Sequence, residues 1–131
     1  MAVQHVGQNG DDLHASSSDN STPAHGPGPW VAPIRCLLRR PPGKTFGWHS
    51  HPGPSLVIVK SGTATFYLAA DPTCTPHVVP AGSGFVDQGH DVHVVRNEGR
   101  VDLVTVVVSL VPAGFARRID EPSPGCCLPN G

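Results

Sequence analysis

The stretch Gly43-Lys-Thr-Phe-Gly-Trp-His49-Ser-His51-Pro-Gly-Pro-Ser55-Leu-Val-Ile-Val-Lys-Ser-Gly62 decides how this chain is read. Its second half is a short apolar run rich in β-branched residues, held between Pro52-Gly53-Pro54 and Ser61-Gly62, which is the signature of a strand between turns. Its first half carries His49 and His51 one residue apart. On a β-strand that spacing puts both imidazoles on the same face. A same-face pair can chelate, and imidazole is the commonest protein ligand for divalent Zn, Fe, Cu and Ni. An isolated His-x-His pair is also readily a solvent-facing coincidence, so the sequence around it has to decide.

Moving outward, the same alternation of short Val, Ile, Thr and Phe runs with Gly and Pro punctuation fills the chain from Trp30 onward. Strands are expected near Ile34 to Arg40, Thr45 to His51, Leu56 to Lys60, Thr63 to Ala69, His77 to Val79, Gly84 to Asp87, Val92 to Arg96 and Leu103 to Leu110. Short strands at this spacing predict an all-β, antiparallel sandwich or barrel with little room for helix. The run after Val101 is apolar on both faces from Val104, which predicts cover on both sides; a homodimer is the simplest account. Residues 1–29 are dense in Ser, Asp, Asn, Gly and Pro with almost no large apolar side chain, so they read as a disordered tail. The expected division is therefore tail 1–29, barrel 30–120 and C-terminal tail 121–131.

Length and charge narrow the function. A chain of 131 residues suits one domain with a single core. Its formal net charge of -1, with basic pairs only at Arg39-Arg40 and Arg117-Arg118, offers no electrostatic footprint for nucleic acid. A small-molecule partner is expected instead. No apolar stretch approaches a membrane span and no secretion-signal core follows Met1, so a cytoplasmic location is expected. Cys36, Cys74, Cys126 and Cys127 lack CxxC spacing and read as thiols without assigned role, with a bridge from Cys74 to Cys126 or Cys127 left open.

Of the histidines, His5, His14 and His25 fall in the expected tail. His49, His51, His77, His90 and His93 are the informative ones, and His77 reads as structural. The stretch Gly43 to Gly62 resembles the first motif of the cupin family, G-x5-H-x-H-x3-E-x6-G: both glycines, both histidines and all spacings match, while Ser55 stands at the glutamate. Gly82 through Gln88, Gly89 and His90 to His93 and Asn97 resembles the second motif, G-x5-P-x-G-x2-H-x3-N, more loosely. Gln88 replaces the proline there, and either His90 stands at the second glycine or Gly89 does with one residue inserted. The resemblance implies a jelly-roll β-barrel with one divalent transition metal ion on His49, His51 and His93: Fe(II) favoured, Mn, Ni, Zn or Cu as alternatives.

Three neutral imidazoles leave the ion its full charge, so a site without the glutamate favours an anionic ligand and keeps up to three positions open. That arrangement suits a bidentate substrate together with dioxygen. The reading that follows is a metal-dependent enzyme acting on a small anionic molecule, with dioxygenase-type oxidation first. A non-catalytic metal- or ligand-binding barrel, or a metal-dependent lyase or isomerase, is the alternative. Ser55 is a poor ligand and reads as a hydrogen-bonding group beside metal-bound water or substrate. His90 reads either as a catalytic proton-transfer group at the mouth or as an exposed turn residue. Asp87 and Asp91 read as solvated turn residues. Trp48 and Phe46 share a parity opposite to His49 and are expected to face away from the metal, leaving Phe66, Leu68 and Phe85 to wall the pocket.

Overall fold

The structure is a computed structural model that describes residues 2–5 and 33–125. Its strands are β1 (Ala2–His5), β2 (Ile34–Arg40), β3 (His49–Ser50), β4 (Ser55–Ser61), β5 (Thr63–Leu68), β6 (His77–Pro80), β7 (Ser83–Asp87), β8 (His93–Arg96), β9 (Leu103–Ser109) and β10 (Ile119–Asp120). They form two five-stranded sheets, in the orders β1-β7-β4-β9-β2 and β10-β3-β8-β5-β6. The fold is all-β and antiparallel, the jelly roll expected from the sequence, and no helix of the described residues is long and apolar enough to cross a membrane.

The alternation within each strand explains the layering. On β9, Leu103, Thr105, Val107 and Ser109 are buried while Val104, Val106 and Val108 between them are half-buried. The inward residues meet those of the second sheet in a core of Val59, Ala64, Phe66, Val79, Phe85, Val95 and Leu103. Phe66 lies 4.7 Å from Phe85 and stacks at 4.6 Å on His77, which gives that histidine the structural place expected of it. On the outer face of the first sheet Leu37 and Leu56 are exposed beside the half-buried Val106 and Val108.

Four expectations need correction. The strand expected over Thr45 to His51 is reduced to one bridge between Thr45 and Arg96 and the two residues of β3. Gly47, at φ +75°, turns the chain between Phe46 and Trp48, so strand parity does not carry across it. Trp48 does face away from the histidines, packed with Tyr67 and Val94, but Phe46 turns inward. Secondly, Ala2–His5 is an edge strand paired with β7, from Ala2 opposite Val86 to His5 opposite Ser83. Ladder hydrogen bonds to an open sheet edge require no large apolar side chains, so composition could not reveal it; residues 6–32 lie outside the described residues. Thirdly, Cys74 is disulfide-bonded, whereas Cys36 is a free thiol; Cys126 and Cys127 lie outside the described residues. Fourthly, Asp87 is buried, as set out below.

Asn97 holds the lower turns together. It is 1 % exposed, donates both amide hydrogens to the carbonyls of Arg40 and Val101 at 2.8 Å and accepts the Gly99 N–H at 3.0 Å. A buried amide with its donors and acceptor all used is a structural rivet.

Candidate metal centre

Strands β3 and β8 bring the histidines together. His49 and His93 are directly opposite in the ladder, and His51 follows His49 on the same face. The three rings lie with centroids 4.3 to 5.3 Å apart, are all buried, and offer ligand atoms within 4.8 Å of one another. Each ring is oriented by the backbone. Nδ1 of His49 donates to the Gly47 carbonyl at 2.7 Å, Nδ1 of His51 to the Arg117 carbonyl at 2.7 Å and Nδ1 of His93 to the Asp91 carbonyl at 2.9 Å. A carbonyl only accepts, so each Nδ1 carries a proton and Nε2 is the nitrogen left to face the cluster; in the neutral ring it holds the lone pair.

Electrostatics favours the same protonation state. Burial, followed by the neighbouring His93, pushes His49 down to about 3. Burial also lowers His51, partly opposed by its hydrogen bond to Arg117. Desolvation penalises the imidazolium while the neutral ring loses little, so these groups stay ligand-ready near neutral pH. Three imidazoles preoriented by backbone carbonyls fit a first-row divalent ion.

The histidines open onto a cavity of about 40 Å³, walled by Leu38, Phe46, Val57, Phe85 and Val107 and bordered by Arg117 and Arg118. Phe85 thus takes the place expected of it, whereas Phe66 and Leu68 stand behind it in the core. The arginines arrive through β10, whose Ile119 and Asp120 pair with Ser50 and His49. The Ser50 hydroxyl donates to Glu121 at 2.7 Å, and the Glu121 N–H donates to the Trp48 carbonyl at 3.0 Å. Arg118 gives its Nε to Asp120 at 2.7 Å and borders the cavity. Sequence reasoning read this pair only as too small a patch for nucleic acid. The signal for its real position, pairing with β3 across some 70 residues, is not local.

The remaining predicted residues separate. Ser55 is 2 % exposed and shares a hydrogen bond with Ser109 at 2.8 Å. His90 has an exposed ring that does not line the cavity; its N–H serves the site by donating to the His51 carbonyl at 2.8 Å. Gly89 and His90 both adopt positive φ, +90° and +67°. A Cβ at Gly89 would lie 2.8 Å from the Gly53 carbonyl carbon, so that position excludes side chains, whereas His90 adopts a left-handed backbone that glycine would take without strain. Asp87 is 1 % exposed, not solvated. Its Oδ1 accepts the Gly89 N–H at 2.8 Å, while its Oδ2 lies 3.4 Å from His93 Nδ1 and 3.8 Å from His51 Nε2 without a hydrogen bond. The strand end carries it inward with Phe85, where turn-residue statistics do not apply.

A model of the cupin domain matches residues 36–109. The chain belongs to the cupin family. Solved structures share its fold. A double-stranded β-helix protein of Klebsiella pneumoniae aligns at 19% identity over 69% of this chain and 76% of that one, with a TM-score of 0.58. Bacillus subtilis oxalate decarboxylase, described with Mn(II) centres, aligns at 21% identity and TM-score 0.59 over 68% of this cupin and only 24% of its own length. The DMSP lyase of Ruegeria pomeroyi aligns at 15% identity and TM-score 0.59 over 70% of this cupin and 44% of its own length. No curated protein sequence matches this cupin.

Proposed function

We propose that this cupin is an enzyme that holds one divalent transition metal ion, Fe(II) ahead of Mn, Ni, Zn or Cu, on His49, His51 and His93, and oxidises a small anionic molecule in a dioxygenase-type reaction. The observation that carries the reading is the convergence of three backbone-oriented imidazoles on a small apolar cavity bordered by Arg117 and Arg118. When bound, the ion supplies Lewis acidity and open coordination positions for substrate and dioxygen. The guanidiniums neutralise and orient a carboxylate. The walls of Phe46, Phe85 and Val57 limit the substrate to a few heavy atoms and keep bulk water away. The hydroxyl pair of Ser55 and Ser109 supports the polar side of the centre through hydrogen bonds.

Two observations support other readings. The exposed ring of His90 leaves the cavity without a proton-transfer side chain beyond the ligands, which favours a non-catalytic metal- or ligand-binding barrel. The lyase and decarboxylase among the structural neighbours favour a metal-dependent lyase or isomerase. The test is anaerobic reconstitution with Fe(II) followed by oxygen uptake and ¹⁸O incorporation across a panel of small carboxylates and mercapto acids. Uptake coupled to a labelled product is expected. No uptake, together with no turnover by the Mn, Ni or Zn forms, would refute the enzyme reading. The same reading includes a homodimer through the outer face of the first sheet, supported by Leu37 at 67% and Leu56 at 42% exposure and checked by sedimentation of the Leu37→Arg variant.

A further inference from the structure

The position where the cupin motif carries a glutamate is Ser55 here, and Ser55 is directly opposite Asp87 on the neighbouring strand. Residues opposite one another in an antiparallel ladder project from the same face with Cβ atoms about 4.5–5.5 Å apart. Ser55 is also opposite Ser109 on its other side, so Asp87, Ser55 and Ser109 form one polar row across β7, β4 and β9, each no more than 2 % exposed. Within that row the two hydroxyls satisfy each other. Asp87 Oδ1 is used by the turn at Gly89. Oδ2 is left buried without a hydrogen-bond partner, the only side-chain oxygen among the described residues in that state; it lies 3.4 Å from His93 Nδ1 and 3.8 Å from His51 Nε2, just outside the cluster formed by the three imidazoles.

A buried carboxylate oxygen with no hydrogen bond is costly, of the order of a few kcal/mol, and persists where something absent from the protein itself satisfies it. A divalent ion on the three imidazoles would do so. Two ligands about 2.1 Å from a common ion stand roughly 3.0 to 3.6 Å apart unless they are trans, so Oδ2 would close on His51 Nε2 by a few tenths of an ångström from its present 3.8 Å when the ion binds.

We infer that Asp87 supplies the carboxylate ligand of this metal centre through Oδ2, delivering from β7 the negative charge that the motif's glutamate would have delivered from β4. The inference rests on the three-histidine reading above. It changes the chemistry of that reading: the ion carries one unit less positive charge and one open position fewer than three histidines alone would leave, so substrate anion binding leans more heavily on Arg117 and Arg118.

Co(II) titration, followed by visible absorption and metal competition, tests it with Asp87→Asn, which keeps an oxygen for the Gly89 N–H and the same shape. Weakening by about 100-fold or more, with altered ligand-field bands and a metal-free Tm no lower than that of the wild type, is expected, since the substitution removes an unsatisfied buried oxygen. Affinity of Asp87→Asn within about threefold of wild type, while His49→Ala loses the metal, overturns the inference and leaves the histidine site standing. Failure of the wild type to bind Co(II) overturns both. Should Asp87→Asn not fold, an anomalous-scattering structure of the metal-loaded wild type decides: Oδ2 at about 2.0–2.3 Å from the ion is expected, and a separation beyond about 3 Å overturns the inference.

Discussion

Along β4, β7 and β9 the inward positions include the hydrocarbon side chains Val59, Phe85 and Leu103, and at the end beside the histidines the same three strands carry the polar row Ser55, Asp87 and Ser109; all six residues are at most 2 % exposed. Burial is therefore equal in the two sets and its energetics are opposite. Each fully buried aliphatic or aromatic side chain contributes roughly 1.5–3 kcal/mol from removal of apolar surface, so the hydrocarbon set accounts for its own existence. The polar end lowers stability unless every group finds a partner. Its serines find each other and its histidines find backbone carbonyls. Asp87 Oδ2 does not, so packing alone does not account for this end, and the proposed metal centre rests on that difference.

The two sets can be separated by experiment. The largest expected effect is at the polar end: the His49→Ala/His93→Ala double variant should fall from about one bound metal per chain to none by elemental analysis, given that a bound ion needs its ligand set complete, while the circular dichroism of the barrel persists. Equal metal content in both proteins would remove the distinction between the two sets. Phe66→Ala should act in the converse way, lowering stability by roughly 3–5 kcal/mol in denaturant titrations while metal stoichiometry per folded chain is unchanged.

Acidification of the metal-free protein should weaken it through the polar end. The folded protein holds His49 at about 3, below its unfolded value, so the unfolded chain binds more protons as pH falls and stability declines from about pH 6.5 toward 3. From pH 7.5 to 5 His49 contributes a loss of about 2 kcal/mol, with His51 adding in the same direction. The His49 share of this loss should disappear from the pH dependence of the His49→Ala variant, as read by Tm, leaving only the His51 share. Arg118→Gln should raise the Kd or KM for a carboxylate ligand by about tenfold, as expected for a charge-assisted hydrogen bond worth about 1.5 kcal/mol, with metal content intact. The smallest effect belongs to His90→Gly, which relieves a left-handed backbone at the rim and should raise stability by about 0.5 kcal/mol without changing metal affinity. A large loss of turnover in that variant would instead return the His90 ring to the chemistry.

Much of this arrangement was legible before any coordinates. The Gly-Pro punctuation and β-branched runs located the main strands, because turn chemistry and strand propensity are local. The spacing of His49 and His51 put both on one face, because side-chain parity within a strand is local as well, and the motif resemblance joined His93 to them. Where parity was carried across Gly47 it failed for Phe46, since one left-handed residue resets the face. Asp87 was misread as solvated because burial at a strand end depends on what lies opposite, and Ser83–Asp87 lies opposite Ser55–Ile58.

The sequence by itself determined the all-β class and the same-face pair His49 and His51 from periodicity and spacing over a few residues, and its resemblance to the cupin motifs added the jelly roll and His93. Only the tertiary structure decided which groups surround the histidines. It brought the Arg117-Arg118 pair to the cavity through a two-residue strand, set the Arg117 carbonyl on His51, placed the His90 ring outside, and aligned Asp87 beside the position where the glutamate is missing. Those relations are set by register between strands distant in sequence, where the hydrogen-bond ladder and the packing of both sheets choose the partner and no local pattern records the choice.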